Sequence, residues 1–314
     1  MHYPGGWRLK ALGFSFLMAT VAINCNNTGG GVGKADSTTS AKKDAPVDSS
    51  TGNTAAVDSA TPVATDTATA TPIVKDKPKI EPIVIDSNKR YLFITFDDGP
   101  QPPGTSNCFN VFKSLGIKAT FFMIAEHNDS KERKDLVDSI RNAYPNYLLA
   151  NHSSTHAFND KYQFFYHHPQ QAAPDFFAAQ SKLNIMFKIA RLPGNSAWVR
   201  QGEVKGSPLV KPVCELLDSA GYNVIGWDEE WGFKTHGGYS YPVQSAETMA
   251  KEIGRDFDQH HSHTRYTLVW LAHDRMFGRE NYRDSLYKCL SILKKDPRYV
   301  FETIDHYPGI KQNN

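Results

Sequence analysis

From Asn88 onward, short apolar runs alternate with longer amphipathic stretches. Tyr91-Leu-Phe-Ile-Thr-Phe96 is aromatic and β-branched, and Asp97-Asp98-Gly99-Pro100 follows it and turns the chain. That combination reads as a strand ending in a turn. Residues 119–124, 147–150, 189–192, 222–227, 267–272 and 299–303 repeat the strand signal. Between them, apolar positions at helical spacing predict helices over 107–115, 131–143, 170–187, 210–220, 246–257 and 283–294. Strand followed by helix, repeated, means parallel strands with helices outside them. Seven strand signals fall short of a closed eight-stranded barrel, so the expected fold is α/β, a distorted or incomplete (β/α)7–8 barrel.

Upstream the pattern changes. Arg8 and Lys10 precede an apolar stretch, 11–23, that is short for a membrane span, so residues 1–25 are expected to be an export signal. Cys25, after Ala22-Ile23-Asn24, resembles the lipidated cysteine of a bacterial lipobox, which implies a membrane-anchored lipoprotein of the cell envelope; an ordinary signal peptide cut nearby or an uncleaved anchor is the alternative. Residues 26–87 consist largely of Thr, Ser, Ala, Gly, Pro, Asp and Lys, with almost no aromatic side chains. Such a stretch buries too little apolar surface to offset its ordering entropy and reads as a disordered tether. The folded domain is then 88–314, long enough for a large core.

Charge and cysteines narrow the picture further. The formal net charge is +2, and the linker's Asp and Lys residues roughly cancel, so no nucleic-acid partner is expected and a monomer is the working assumption. Cys108, Cys214 and Cys289 fall in expected helices and read as buried thiols, with one disulfide and a leftover thiol as the alternative.

The candidate chemistry sits at strand ends. Asp97 and Asp98 are adjacent carboxylates, and like charges in one site repel unless a cation joins them. His152-Ser-Ser-Thr-His156 follows another expected strand. Two histidines and one carboxylate are three ligands, the set a catalytic zinc takes while keeping a position open for water. The second aspartate is then free to act as a base. Arg191-Leu-Pro-Gly194, Asp228-Glu-Glu-Trp231 and His273-Asp274 also fall at expected strand ends, which share one face in a barrel. Alone, Asp-Asp-Gly-Pro would be read as a turn and a lone His-x3-His as surface or core. His167, His168, His260, His261 and His263 are read as loop or structural residues.

Thr95-Phe-Asp-Asp-Gly-Pro100, His152-Ser-Ser-Thr-His156, Arg191-Leu-Pro193 and Leu271-Ala-His273 together resemble the ordered motifs of the polysaccharide deacetylases, the NodB homology domain of carbohydrate esterase family four. The resemblance implies that Asp98, His152 and His156 bind a divalent metal, zinc first, with cobalt, nickel or iron also accepted by this ligand set. It further implies that Asp97 is the base, held by Arg191, and that the Gly194 N–H binds an oxyanion. His273 would protonate the departing amine, and Leu271 would line the acetyl pocket. Two departures stand out. Pro193-Gly194-Asn195 lacks the aromatic residue usual after the proline, and Glu230 stands where the family has an aspartate to partner His273. Asp228 is the alternative partner, and Trp231 is expected as an apolar wall at the substrate.

The expected activity is metal-dependent removal of N-acetyl groups from an amino-sugar polysaccharide, peptidoglycan or a chitin-like glycan. The alternatives are an O-acetyl esterase on a xylan-like glycan, a glycan-binding module on the same fold, and a non-haem iron oxygenase, since two histidines and a carboxylate also hold Fe(II).

Overall fold

The computed structural model describes Pro78 and residues 83–311. The expected export signal, Cys25 and nearly all of the expected tether lie outside the described residues. The described residues form twelve strands: β1 (Arg90–Gly99), β2 (Ala119–Met123), β3 (Tyr147–Asn151), β4 (Ile189–Ala190), β5 (Trp198–Arg200), β6 (Glu203–Lys205), β7 (Asn223–Val224), β8 (Glu229–Glu230), β9 (Phe233–His236), β10 (Tyr239–Pro242), β11 (Thr267–His273) and β12 (Tyr299–Glu302). The main sheet runs β7-β4-β3-β2-β1-β11-β8, all parallel, with β12 paired to the first half of β1. It is a curled, incomplete (β/α) barrel, as the sequence implied. Its edge strands β7 and β8 are consecutive in the chain, so residues 225–228 cross the open side. Ile225 N–H donates to Ala190 O at one edge, and Asp228 N–H donates to Val269 O at the other.

Period-two alternation sorts the side chains of β1. Leu92, Ile94 and Phe96 join the core under the helices Gly104–Leu115, Ala246–Gln259 and Glu280–Lys294, whereas Tyr91 and Phe93 join the core inside the curl. The outer core is aromatic. The Phe96 ring, 1 % exposed, meets Phe112 at 5.2 Å, Phe277 at 5.7 Å and Phe121 at 6.1 Å. Cys108, Cys214 and Cys289 are buried free thiols, which settles the open choice against a disulfide among them.

Three expectations need correction. The helix expected to reach residue 187 runs Pro169–Lys182. Leu183 follows it, and Asn184 then takes a left-handed conformation, φ 47°, that an α-helix cannot continue. The strand expected over 222–227 is paired only at Asn223–Val224, because the chain leaves β4 there to cross the barrel's open side. Two antiparallel hairpins, β5–β6 and β9–β10, were not expected. Both turn through two positive-φ residues, Gln201-Gly202 and Gly237-Gly238, as the preferred two-residue hairpin turns do.

Truncating the central ring of the outer core is expected to be severe. Phe96→Ala should lower unfolding free energy by about 3–5 kcal/mol, read from urea unfolding. A loss under about 1 kcal/mol would mean that the aromatic cluster can collapse around the gap.

Candidate active site

Neighbouring residues on a regular strand point to opposite faces, so Asp97 and Asp98 would ordinarily diverge. The end of β1 prevents this. Its register against β2 slips between Asp97 and Gly99, and Asp98 takes φ 74°, so the strand bulges there. Both carboxylates consequently reach the same imidazole: His152 Nε2 lies 3.7 Å from Asp97 Oδ2 and 3.4 Å from Asp98 Oδ1. His156 Nε2 lies 3.2 Å from that same Asp98 Oδ1.

His152 follows β3 directly, and a buried aspartate from helix Pro169–Lys182 shapes the loop after it. Asp175 Oδ2 accepts from Ser154 N–H, Thr155 N–H and Thr155 Oγ1, each at 3.1 Å. His156 to Asp160 then all have positive φ, between 50° and 64°. A left-handed turn costs about 1–2 kcal/mol per residue for L side chains. It is supported by Thr155 Oγ1, which accepts from Phe158 N–H at 2.8 Å, and by the fully buried Ala157. The turn sets Asp160 against His156, with Oδ1 2.5 Å from Nδ1, and Tyr162 Oη donates to the same oxygen at 2.8 Å.

The histidine tautomers follow from these partners. His152 Nδ1 faces the Arg191 carbonyl at 3.0 Å, and His156 Nδ1 faces the Asp160 carboxylate. Each is therefore a donor, which leaves both Nε2 lone pairs directed at Asp98 Oδ1. That oxygen is buried and has no hydrogen-bond partner among the described residues. Two lone pairs facing a carboxylate oxygen repel unless a cation lies among them. Burial raises the Asp98 carboxyl; without a cation, hydrogen bonds donated by the two imidazoles and the charge of His273 would instead be what holds it well below its usual range. The three ligand atoms lie within 4.8 Å of one another, so Asp98, His152 and His156 suit a divalent metal.

Arg191, following β4, is 0 % exposed. Its guanidinium donates to Asp97 Oδ1 at 2.9 Å, Thr95 Oγ1 at 2.7 Å, Gly226 O at 2.8 Å and Ile225 O at 3.3 Å, and it lies over the Phe122 ring at 4.3 Å. The expected link between Arg191 and Asp97 is thus present. His273 ends β11 in register with Asp97, and its Nε2 lies 3.9 Å from Asp98 Oδ2. Burial lowers its pKa, with Asp98 and Asp97 acting the other way. Leu271, two residues earlier on the same face of β11, is 2 % exposed. Gly194 is exposed with φ 64°, and a Cβ there would meet the Tyr162 ring at 2.8 Å.

Glu230 Oε1 is 4.0 Å from His273 Nδ1, close enough for charge interaction but outside hydrogen-bond reach. Asp228 is not brought there. Its oxygens accept from the backbone N–H groups of His263 at 2.6 Å and Val269 at 2.7 Å, so it anchors the start of β11. Trp231 is a correction: it is fully buried in the outer core, stacked on Trp270 at 5.7 Å, with Nε1 donating to Gln244 O. The apolar demand of an indole is met by the core, so it forms no wall at the groove. Asp274, next to His273, accepts from Thr105 Oγ1, and burial pushes its pKa up to about 8.

Residues without a sequence signal complete the surroundings. Arg275 pairs with Asp98 Oδ2, and His127 Nδ1 donates to the Asp98 carbonyl at 2.8 Å. With Gln101, Glu126, His156 and Asp160 they line a cavity of about 410 Å³. Asp160, Tyr162 and Asp175 act on the histidine loop. The spacing from His156 to Asp160 could have been found only by supposing the turn between them.

Comparison with known proteins agrees with this geometry. Residues 85–188 match the polysaccharide deacetylase family model, a stretch that includes Asp97, Asp98, His152 and His156. A chitooligosaccharide deacetylase from Rhizobium leguminosarum bv. trifolii is 39 % identical over 70 residues, 22 % of this chain and 31 % of that protein. The chain thus matches under a third of the length of that relative. Two solved structures share the fold. A CE4 esterase from Streptococcus mutans has TM-score 0.52 at 19 % identity, covering 69 % of this chain and 87 % of that one. The catalytic domain of a peptidoglycan N-acetylglucosamine deacetylase from Eubacterium rectale has TM-score 0.51 at 20 % identity, covering 73 % and 96 %.

The Arg191–Asp97 pair makes a thermodynamic prediction separate from activity. Arg191→Met should destabilise the fold by about 3–5 kcal/mol, because it strands a buried carboxylate. Adding Asp97→Asn should recover part of that loss in chemical unfolding. Simple additivity of the two losses would show that the charges are not coupled.

Proposed function

We propose, on the match of residues 85–188 to the polysaccharide deacetylase family model, that this chain hydrolyses N-acetyl groups of an amino-sugar polysaccharide, peptidoglycan or a chitin-like glycan. One observation carries the reading: the buried, unpartnered Asp98 Oδ1 faces two imidazole nitrogens while a second carboxylate stands beside them, held by a buried arginine. A non-catalytic glycan module has no need of that paired arrangement.

A divalent metal, zinc in the first instance, held by Asp98, His152 and His156 would polarise an acyl carbonyl and make water acidic enough to ionise near neutral pH. The remaining roles fall to the chain's own groups. Asp97 commits Oδ1 to Arg191 and turns Oδ2 toward the ligand cluster, where it can take a proton from water. Arg191 fixes that carboxylate through a charge-assisted hydrogen bond. The Gly194 N–H offers a donor to developing negative charge on the carbonyl oxygen. His273 supplies the proton that the departing nitrogen requires, since an amine anion is a very poor leaving group. Glu230, near His273 Nδ1, favours the protonated imidazole. Leu271, on the same face as His273, would meet the acetyl methyl.

Export belongs to the same proposal. Arg8, Lys10 and the apolar stretch ending at Cys25 support a lipid-anchored place in the cell envelope, where peptidoglycan is at hand.

The test is acetate release from peptidoglycan, chitooligosaccharides and acetylated xylan, with added zinc and with chelator. Release from an amino-sugar polymer is expected, abolished by chelator, restored by metal, and reduced about 10²–10⁴-fold in Asp97→Asn. Release from xylan alone would make the protein an O-acetyl esterase. A metal-loaded protein that releases nothing would point to glycan binding.

A further inference from the structure

A second cavity lies at the other end of β11. Hairpin β5–β6 and the loop before β11 enclose about 210 Å³ of polar space bordered by Trp198, Arg200, Gln201, Glu203, Lys205 and His263. Strand β11 runs from Thr267, four residues after His263, to His273 in the candidate active site. Six residue steps at about 3.3 Å separate the two ends by roughly 20 Å, so the two cavities are distinct.

The walls are held in place. His263 stacks on Trp198 with centroids 4.2 Å apart and planes 1° from parallel, and its backbone N–H is bound to Asp228. Trp198 is itself buried against Tyr307. Arg200 Nη1 donates to Thr264 Oγ1 at 2.8 Å, and the guanidinium lies so close over Gly309 that a Cβ there would meet it at 2.8 Å. Tyr307 Oη holds the same threonine hydroxyl at 2.8 Å. Neither Arg200 nor Lys205 has a carboxylate within 4.0 Å among the described residues, although the exposed Glu203 also borders the cavity.

We propose that this cavity is a binding site for a small oxyanion, a carboxylate or phosphate carried on no more than a single ring, gripped by Arg200, Lys205 and the His263 imidazole. Two fixed or tethered cations without carboxylate partners leave donors for an anion, and a guanidinium matches the planar oxygens of carboxylate or phosphate. The stacked Trp198–His263 pair gives a flat wall for the carbon body attached to the anion. The volume is below the roughly 300–1,000 Å³ of drug-sized ligand pockets, which suits one small acid. The chemistry is complementary to this cavity whether or not the protein is a deacetylase.

His263 supplies a direct reporter. Burial and the charges of Lys205 and Arg200 hold its pKa down to about 4, so its ring is neutral near pH 7 and keeps one N–H donor. A bound anion favours the imidazolium and moves that titration upward. The experiment is NMR titration of the His263 ring in the whole protein, with inorganic phosphate in one arm and glucuronate in the other. A saturable upward shift of the midpoint is expected with at least one of them, and the arm that saturates identifies the oxyanion. Lys205→Gln, an exposed change with no structural partner, should weaken binding at least about tenfold, and Glu203→Gln should strengthen it. Asp97→Asn should leave binding unchanged, which separates this site from the catalytic proposal. Absence of a saturable shift with either anion overturns the proposal, and so does a shift indifferent to Lys205→Gln.

Discussion

Much of this molecule is arranged around one buried ion pair. Arg191 brings a full charge to zero exposure, which is tolerable only if every donor finds an acceptor and a carboxylate neutralises it. Its acceptors come from β1 (Thr95, Asp97) and from the crossing segment (Ile225, Gly226), while the arginine follows β4. The guanidinium therefore ties the centre of the sheet to the chain that spans its open side. An incomplete barrel has two unpaired edges, and edge-to-edge contact is where such a fold would otherwise loosen. The same bonds fix which oxygen of Asp97 is engaged and which is free. Architecture and candidate chemistry thus share one side chain.

Asp98 answers a different demand. Its neighbour is already neutralised by Arg191, so the remaining charge on Asp98 must be met by the two histidines, by Arg275 and by whatever cation the ligand set holds. The bulge at the end of β1 makes this possible, because only a register slip brings consecutive side chains to one face. A left-handed Asp98 and a left-handed turn from His156 to Asp160 both carry ligands of the cluster. Strain of this kind persists where surrounding bonds over-determine the backbone, and here Asp175, Thr155 and the Asp98 carbonyl's partners, His127 and Gln101, do so.

What the sequence disclosed follows from the range of the forces involved. Strands β1, β2, β3 and β11 were legible because fully buried parallel strands are near-continuous apolar runs. The helices 246–259 and 280–294 were legible from their period. Strand β8 was not, and β7 was legible only within a longer run, since two-residue pairings are set by what lies across the sheet and not by local pattern. The hairpin β9–β10 carries a local signal, Gly237-Gly238 between alternating residues. In the site, Asp97, Asp98, His152, His156, Arg191 and His273 stood in motifs and do converge. Arg275, Asp160 and Asp175 could not be singled out, because their importance lies wholly in tertiary placement. Trp231 misled for the converse reason: a tryptophan beside acidic residues suits a substrate wall or a core equally, and only packing decides.

The altered third motif has a physical counterpart in space. Gly194 replaces the aromatic residue that the family resemblance led one to expect, yet the position is not empty of aromatic character. The Tyr162 ring from the helix Tyr162–His167 lies where any Cβ at 194 would intrude at 2.8 Å, and Gly194 holds φ 64°, so side chain and conformation both favour glycine. Tyr162 also donates to Asp160, whose same oxygen orients His156. An aromatic at 194 would therefore collide with the group that positions a candidate metal ligand. The loss of one ring and the presence of the other are two sides of a single packing solution, and the left-handed turn at 156–160 is the backbone route by which the chain reaches it.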